Sequence, residues 1–150
     1  MKRKIQIERI SRFSETKQIV LLLSRKDYNS VVAGNIQNII LGNRVDWNLF
    51  LGLVFNHRVN GVIFNRITKM ENVPVTVKRS LQFMFLSQIQ RNDCHKKEIA
   101  KIYYELEKEK VNYAFLKGAV LNFVYYGEGE RISNDTDILV NLEHLAKVIK

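Results

Sequence analysis

A chain of 150 residues, 46% hydrophobic and 26% charged, carries enough apolar material for a real core and too much for a disordered segment. No apolar run approaches the ~18 residues of a membrane span: Ile19–Leu23 gives way at once to Ser24-Arg25-Lys26, and the basic start Met1–Ile10 has no apolar block behind it to make a signal peptide. The 24 Lys and Arg against 15 Asp and Glu leave a net charge of +9, which favours polyanionic partners such as RNA, DNA or nucleoside triphosphates, although no block of like charge concentrates it.

A single cysteine, Cys94, cannot form an internal disulfide, so a reducing compartment, the cytoplasm, is the expected location. Met1–Phe13 reads as a basic, weakly periodic leader. Ser14 is placed to cap a helix Glu15–Ser24, with Glu15 at its positive end. Asp27 is the predicted cap of a second helix, Tyr28–Leu41, which has Val32, Ile36, Ile39 and Ile40 on one face and Gly42–Asn43 as its stop. Asp46 caps a third, Trp47–Asn56, apolar at Trp47, Phe50, Leu51 and Val54. After the polar joint His57–Asn60 comes a short helix, Gly61–Met70. Glu71–Pro74 then interrupts the pattern, because proline fits the first turn of a helix but not its interior. Val75–Lys110 reads helical almost throughout, with one stripe of Leu81, Met84, Phe85 and Ile89 and a second of Ile99, Ile102, Tyr103 and Leu106. Asn92–Asp93 is either a break in it or a polar turn of a continuous helix. Glu105–Lys108 and Glu107–Lys110 have the spacing of helical ion pairs.

From Asn112 the period changes. Tyr113–Leu116 is a short apolar and aromatic strand, and Lys117–Gly118 a turn. A helix Ala119–Tyr126 follows, with Val120, Phe123 and Val124 on one face, and Gly127 and Gly129 end it. Glu128–Asn134 is a polar loop, Asp137–Val140 a second strand, and Leu142–Lys150 the beginning of another helix. The expected fold class is α+β: a helical region over 1–110, then a strand–helix–strand unit over 111–150. Two strands alone expose unpaired edges and bury little, so more sheet is expected from elsewhere in sequence, from self-association or from a partner that completes it.

The chemistry concentrates at Asp135 and Asp137. Carboxylates at i and i+2 on a strand share a face, roughly 6–7 Å apart at ~3.3 Å per residue, and so placed can share a hard divalent cation whose other ligands are phosphate oxygens and water. Upstream, the Lys117–Gly118 turn opens a helix whose first N–H groups suit a phosphate, with Lys117 adding a mobile positive charge. The bland readings are also available. Ser-Asn-Asp-Thr-Asp is ordinary turn chemistry before a strand, Gly118 is a plain turn glycine, and Lys117 a surface lysine. Arg131 either touches substrate or pins the loop to Asp135 or Asp137. His57, His95 and His144 have no metal-ligand spacing, and His57 is read as fixing a helix joint. Trp47, the Phe83–Phe85 run and the Tyr125–Tyr126 pair are read as core in preference to base-stacking platforms.

Leu116-Lys117-Gly118-Ala119, then Arg131, then Asp135-Thr136-Asp137-Ile138-Leu139-Val140 together resemble the signature of the uncharacterised nucleotidyltransferase family within the polymerase-β-like superfamily. In that family a Leu-Lys-Gly-Ala turn replaces the Gly-Ser turn common elsewhere. Thr136 departs from the apolar residue usual between the aspartates. Asp46–Trp47, His57–Arg58–Val59 and Val73–Pro74 are similar to the family's helical N-terminal region, so the resemblance covers about residues 45–140. It implies metal ligation by Asp135 and Asp137, phosphate or nucleotide binding by Lys117, Gly118 and Arg131, a nucleoside triphosphate such as ATP as substrate, and Mg²⁺ or Mn²⁺ as cofactor. The superfamily's third carboxylate lies on a later strand, whereas this sequence stops at Lys150. The chain is therefore expected to be the N-terminal portion of a nucleotidyltransferase, transferring a nucleotidyl group to an acceptor hydroxyl on a protein, small molecule or RNA. The alternatives are a truncated, non-catalytic interaction protein and a basic helical nucleic-acid-binding module.

Overall fold

The computed structural model describes residues 10–133 and 135–149, the Phe123 side chain excepted, so most of the leader Met1–Phe13 lies outside the described residues. Five helices come first: α1 Glu15–Leu23, α2 Ser30–Leu41, α3 Trp47–Asn56, α4 Asn60–Ile67 and the 34-residue α5 Val75–Lys108. Strand β1 (Tyr113–Leu116), helix α6 (Gly118–Val124) and strand β2 (Asp137–Val140) follow, then a 3₁₀ turn Leu142–His144 and the short α7 Leu145–Val148. The architecture is α+β, a helical region followed by a small two-stranded sheet. Among the described residues no helix is long and apolar enough to cross a membrane. The chain divides into two compact units between Phe85 and Leu86, within α5.

The first unit is a helical core. Ile19 and Leu23 of α1, Ile36 of α2, Phe50 and Val54 of α3, Ile63 and Ile67 of α4 and Leu81 of α5 are fully enclosed, each apolar side chain so buried contributing ~1.5–3 kcal/mol. The helix ends explain why these segments are helical. Asp46 accepts hydrogen bonds from the backbone N–H groups of Asn48 and Leu49 at 3.0 and 2.9 Å, and its own N–H donates to the buried Thr16 hydroxyl at 3.0 Å. At the other ends cations meet carbonyls: Arg66 donates to Leu23 O and Arg25 O past the end of α1, and Lys78 to Thr68 O and Met70 O past the end of α4. Arg66 also lies over the Tyr28 ring, 4.7 Å from its centre.

Several expectations are corrected here. The cap of α2 is Asn29, whose side chain accepts from Val32 N at 3.1 Å; Asp27 is instead held by a bidentate contact with Arg25, at 2.8 and 2.6 Å. Ser14 stands at the N-cap of α1 but makes no side-chain capping bond. Helix α4 runs Asn60–Ile67 rather than Gly61–Met70, whereas Gly42–Asn43 does stop α2, with Gly42 at the cap and Asn43 left-handed at φ 56°. Phe83 is 74% exposed; Phe85 of the same run stacks on Phe64 at 4.7 Å. His57 does end α3, with Arg58 left-handed at φ 55° beside it.

In the second unit α5 continues through Asn92–Asp93 without a break. The strands are antiparallel, with Tyr113, Ala114, Phe115 and Leu116 opposite Val140, Leu139, Ile138 and Asp137. Opposed residues share a face, so Tyr113, Phe115, Ile138 and Val140 lie on one side and Ala114, Leu116, Asp137 and Leu139 on the other. Tyr113 meets Tyr103 of α5 edge-on at 6.3 Å and donates its phenol to Glu107 at 2.6 Å, so the first face is turned to α5. Glu107 is thereby engaged away from Lys110, which leaves the helix at φ 52°. The apolar face expected for α6 is largely open, with Val124 65% exposed, and Tyr125 and Tyr126 are surface residues, not core.

Two outcomes follow. Replacing Asp46 by alanine leaves two helix-start N–H groups without their acceptor and costs about 1 kcal/mol in chemical denaturation. The Tyr113 phenol, held protonated first by its bond to Glu107, then by burial and by the Glu107 charge, is pushed up from its ordinary 10.0 to about 12. The stabilisation it brings is therefore complete below pH ~10 and fades as pH rises through ~12. Spectrophotometric titration should show one late tyrosine that Tyr113→Phe deletes and Glu107→Gln brings down.

Candidate functional site

Strand β1 ends at Leu116, directly opposite Asp137, where β2 begins. The turn after β1 and the aspartate segment before β2 are therefore brought to the same end of the sheet by register alone. At that end Lys117 Nζ lies 3.1 Å from Asp137 Oδ2, the two side chains 74% and 42% exposed. Such an open pair is worth ~0–1 kcal/mol and exchanges its partners readily. Lys117 adopts φ 45°, ψ −113°, a backbone region in which side chains other than glycine's are strained.

Gly118 fits because it has no Cβ. One built there would come within 2.9 Å of Ser133 Cβ and overlap Ser133 Oγ, with the Asp135 carbonyl oxygen 3.5 Å away. The hydroxyl of Ser133 in turn donates to the Asp135 carbonyl at 3.3 Å. The Ser133 side chain thus fills the space that a side chain at 118 would need.

Helix α5 holds that loop from the other side. Gln88, 1% exposed, donates to Gly129 O at 2.7 Å; Asn92 donates to Arg131 O at 3.0 Å; His95 Nε2 is 2.7 Å from Thr136 Oγ1. Positions 88, 92 and 95 lie on one helical face. Arg131 turns its guanidinium over the Tyr126 ring, 5.4 Å from the centre, and among the described residues it forms no ion pair with Asp135 or Asp137. A hollow of about 210 Å³ lies beside it, lined in part by Asn92, His95, Gly118, Asn122 and Arg131. The Oδ1 atoms of Asn92 and Asn122 are buried there without a hydrogen-bond partner.

The structure therefore brings together Lys117 with Asp137, and Gly118 with the Ser133 side chain and the Asp135 carbonyl, while Arg131 shares a hollow with Gly118. Asp135 is exposed just before β2, not on the strand itself. Two carboxylates with hard oxygen donors suit Mg²⁺ or Mn²⁺, which take one or two protein carboxylates and fill the remainder from water and phosphate. No group of three or more His, Cys, Asp or Glu side chains is placed to hold a metal among the described residues. Gln88 carries no motif, Asn92 is expected only at a polar turn and His95 only lacks metal-ligand spacing; their intervals of four and three share a helical face, but in so polar a stretch that spacing does not mark them.

Gly118→Ala should destabilise the chain by about 1–3 kcal/mol, the usual cost of forcing extra volume into a packed contact. Denaturation of Gly118→Ala/Ser133→Gly, in which the colliding side chain is gone, should recover most of that loss.

A family model described as uncharacterised nucleotidyltransferase matches residues 43–150. The chain matches no curated protein and no solved structure. The match takes in α3, α4, α5, both strands and every residue of the Lys117–Asp137 arrangement. This chain belongs to the uncharacterised nucleotidyltransferase family.

Proposed function

We propose that the chain binds a nucleoside triphosphate with Mg²⁺ or Mn²⁺ at the end of the sheet where Lys117 meets Asp137, and takes part in transferring the nucleotidyl group to an acceptor hydroxyl. The observation that carries this reading is the 3.1 Å approach of Lys117 to Asp137 beside a glycine that lets the turn touch the aspartate segment. Such a site needs a carboxylate for the cation and an ammonium for the phosphates within one triphosphate's length, and the strand register, which brings Asp137 opposite Leu116 and so beside Lys117, supports the reading.

In this reading Asp135 and Asp137 hold the cation. Bound there, it would neutralise phosphate charge and stabilise the attacking and leaving oxygens. Lys117, already at the site on an exposed and exchangeable pair, turns from Asp137 to a phosphate oxygen. The seven-residue α6 adds little dipole of its own, so the phosphate charge falls chiefly to Lys117. Gly118 leaves the backbone free to come close, and Arg131 offers a second cation from the adjoining hollow. The acceptor oxygen attacks the α-phosphorus and gives up its proton to water, the bond to the bridging oxygen breaks, and pyrophosphate leaves with that electron pair. Acceptors in range are hydroxyls of a protein, a small molecule or an RNA. The single cysteine, exposed Cys94, supports a reducing, cytoplasmic setting.

A second reading has its own support. The outer face of the sheet leaves Leu139 61% exposed, and Leu142 beyond it is 81% exposed, which favours a chain that works by pairing with a copy of itself or a partner that completes the sheet. It predicts indifference to loss of either aspartate.

Calorimetric titration of Mg²⁺–ATP separates the two. Measurable binding by the wild-type chain should vanish in Asp135→Asn and in Asp137→Asn, both checked for fold by circular dichroism. Lys117→Gly should weaken binding about 10-fold or more through loss of a charge-assisted bond, while leaving the fold as stable as before or more so, because glycine relieves the strained turn. Failure of the folded wild type to bind would sink the nucleotide reading.

A further inference from the structure

Of the three α5 side chains that hold the loop, Gln88 and Asn92 grip backbone carbonyls and are indifferent to the side chains carried by the segment they hold. His95 is different. Its Nε2 lies 2.7 Å from the hydroxyl of Thr136, the residue between Asp135 and Asp137. We propose that His95 is a positioning residue for the two aspartates, acting through Thr136.

Ile138 and Val140 share the sheet face that Tyr113 turns toward α5, whereas Asp137 shares the opposite face with Leu116 and Leu139. Successive side chains alternate along an extended chain, and Thr136 is accordingly on the α5 side, where His95 meets it. A tether on the rear of the segment therefore decides how the carboxylates stand on its front. The point held is also the one that ordinary strand pairing does not reach, because β2 begins only at Asp137. Gln88 and Asn92 hold the carbonyls at 129 and 131, and His95 reaches a side chain five residues further on, next to Asp137. The hydrogen bond forms with either ring tautomer, since a hydroxyl both donates and accepts.

This inference rests on the nucleotide reading for its purpose, and the experiment keeps the two apart. Wild type, His95→Leu, Thr136→Val, the double variant and His95→Gln are compared in titrations with Mn²⁺–ATP and in amide hydrogen exchange of residues 135–138 without ligand. Each single loss of a partner should weaken Mn²⁺–ATP binding about 10-fold, as loss of a ligand-orienting partner commonly does. Each should also speed exchange of those amides about 5-fold, the equivalent of one hydrogen bond. The double variant lacks the same single bond and should bind and exchange about as either single variant does, the non-additivity expected of two partners in one contact. Glutamine, whose amide nitrogen reaches about where Nε2 stands, should remain within about 2-fold of wild type.

Singles that bind and exchange like wild type, or losses that simply add in the double variant, overturn the inference. If the wild type fails to bind Mn²⁺–ATP, the nucleotide reading falls and exchange alone decides: faster exchange in His95→Leu that His95→Gln reverses keeps the tether, and unchanged exchange removes it.

Discussion

The close approach of Gly118 to Ser133 and the Asp135 carbonyl is the contact on which the rest of the site depends. A chain that leaves β1 at Leu116 and comes back at Asp137 makes an excursion through a helix and a polar loop, and both ends of it must close at one place. A side chain at 118 would push the returning loop outward. The Leu116–Asp137 register could then hold only by bending β2, and Lys117 would no longer lie beside Asp137. One missing methyl thus ties strand pairing, the loop path and the Lys117–Asp137 contact into one arrangement.

The two units are held by different physics. In the first, fully enclosed apolar side chains from five helices make a continuous core, and cations and side-chain caps close the helix ends. In the second, the apolar residues buried to a comparable degree are Leu106, Val111 and Ala119. Directional bonds take over there: a buried Gln88, then Asn92 and His95, each holding a different point of the loop before β2. Such bonds fix position closely but add little stability each, ~0.5–1.5 kcal/mol. A two-stranded sheet with an open face is marginal by itself, so the second unit is the part of the chain expected to open most easily. A segment of this kind suits a binding site, which must admit a ligand and then hold it.

How much of this was legible follows from which forces are local. Both strands were readable to the residue, because a short apolar run between a turn and a polar loop leaves few alternatives. So was the capping of α3 by Asp46, since the capping bond runs three residues along the chain. The cap of α2 was misread by two residues: Asp27 is as good a cap as Asn29 by type, and its capture by Arg25 leaves no mark in the hydrophobic pattern. The exposure of Tyr125, Tyr126 and Val124 was hidden for a different reason, because periodicity says which residues share a face and not whether anything covers it. The pair Lys117 and Asp137 emerged from motif alone, but the contact of His95 with Thr136 joins positions 41 apart in sequence, which no spacing rule connects.

Net charge also means less than it first suggests. The +9 balance pointed to polyanions, yet Arg66 and Lys78 are spent on the carbonyl ends of helices, Arg25 on Asp27 and Arg44 on Glu15. Lys117 also meets a carboxylate, that of Asp137, but from a strained turn. Its backbone stands at φ 45°, ψ −113°, where a residue with a Cβ is strained by ~1–3 kcal/mol. Its partner contact is too exposed to offset that strain, given the ~0–1 kcal/mol typical of open ion pairs. Glycine would fit the turn better. A lysine kept where glycine is easier, at the mouth of a turn that touches an aspartate segment, is therefore poorly explained by stability and well explained by a need for positive charge at that point.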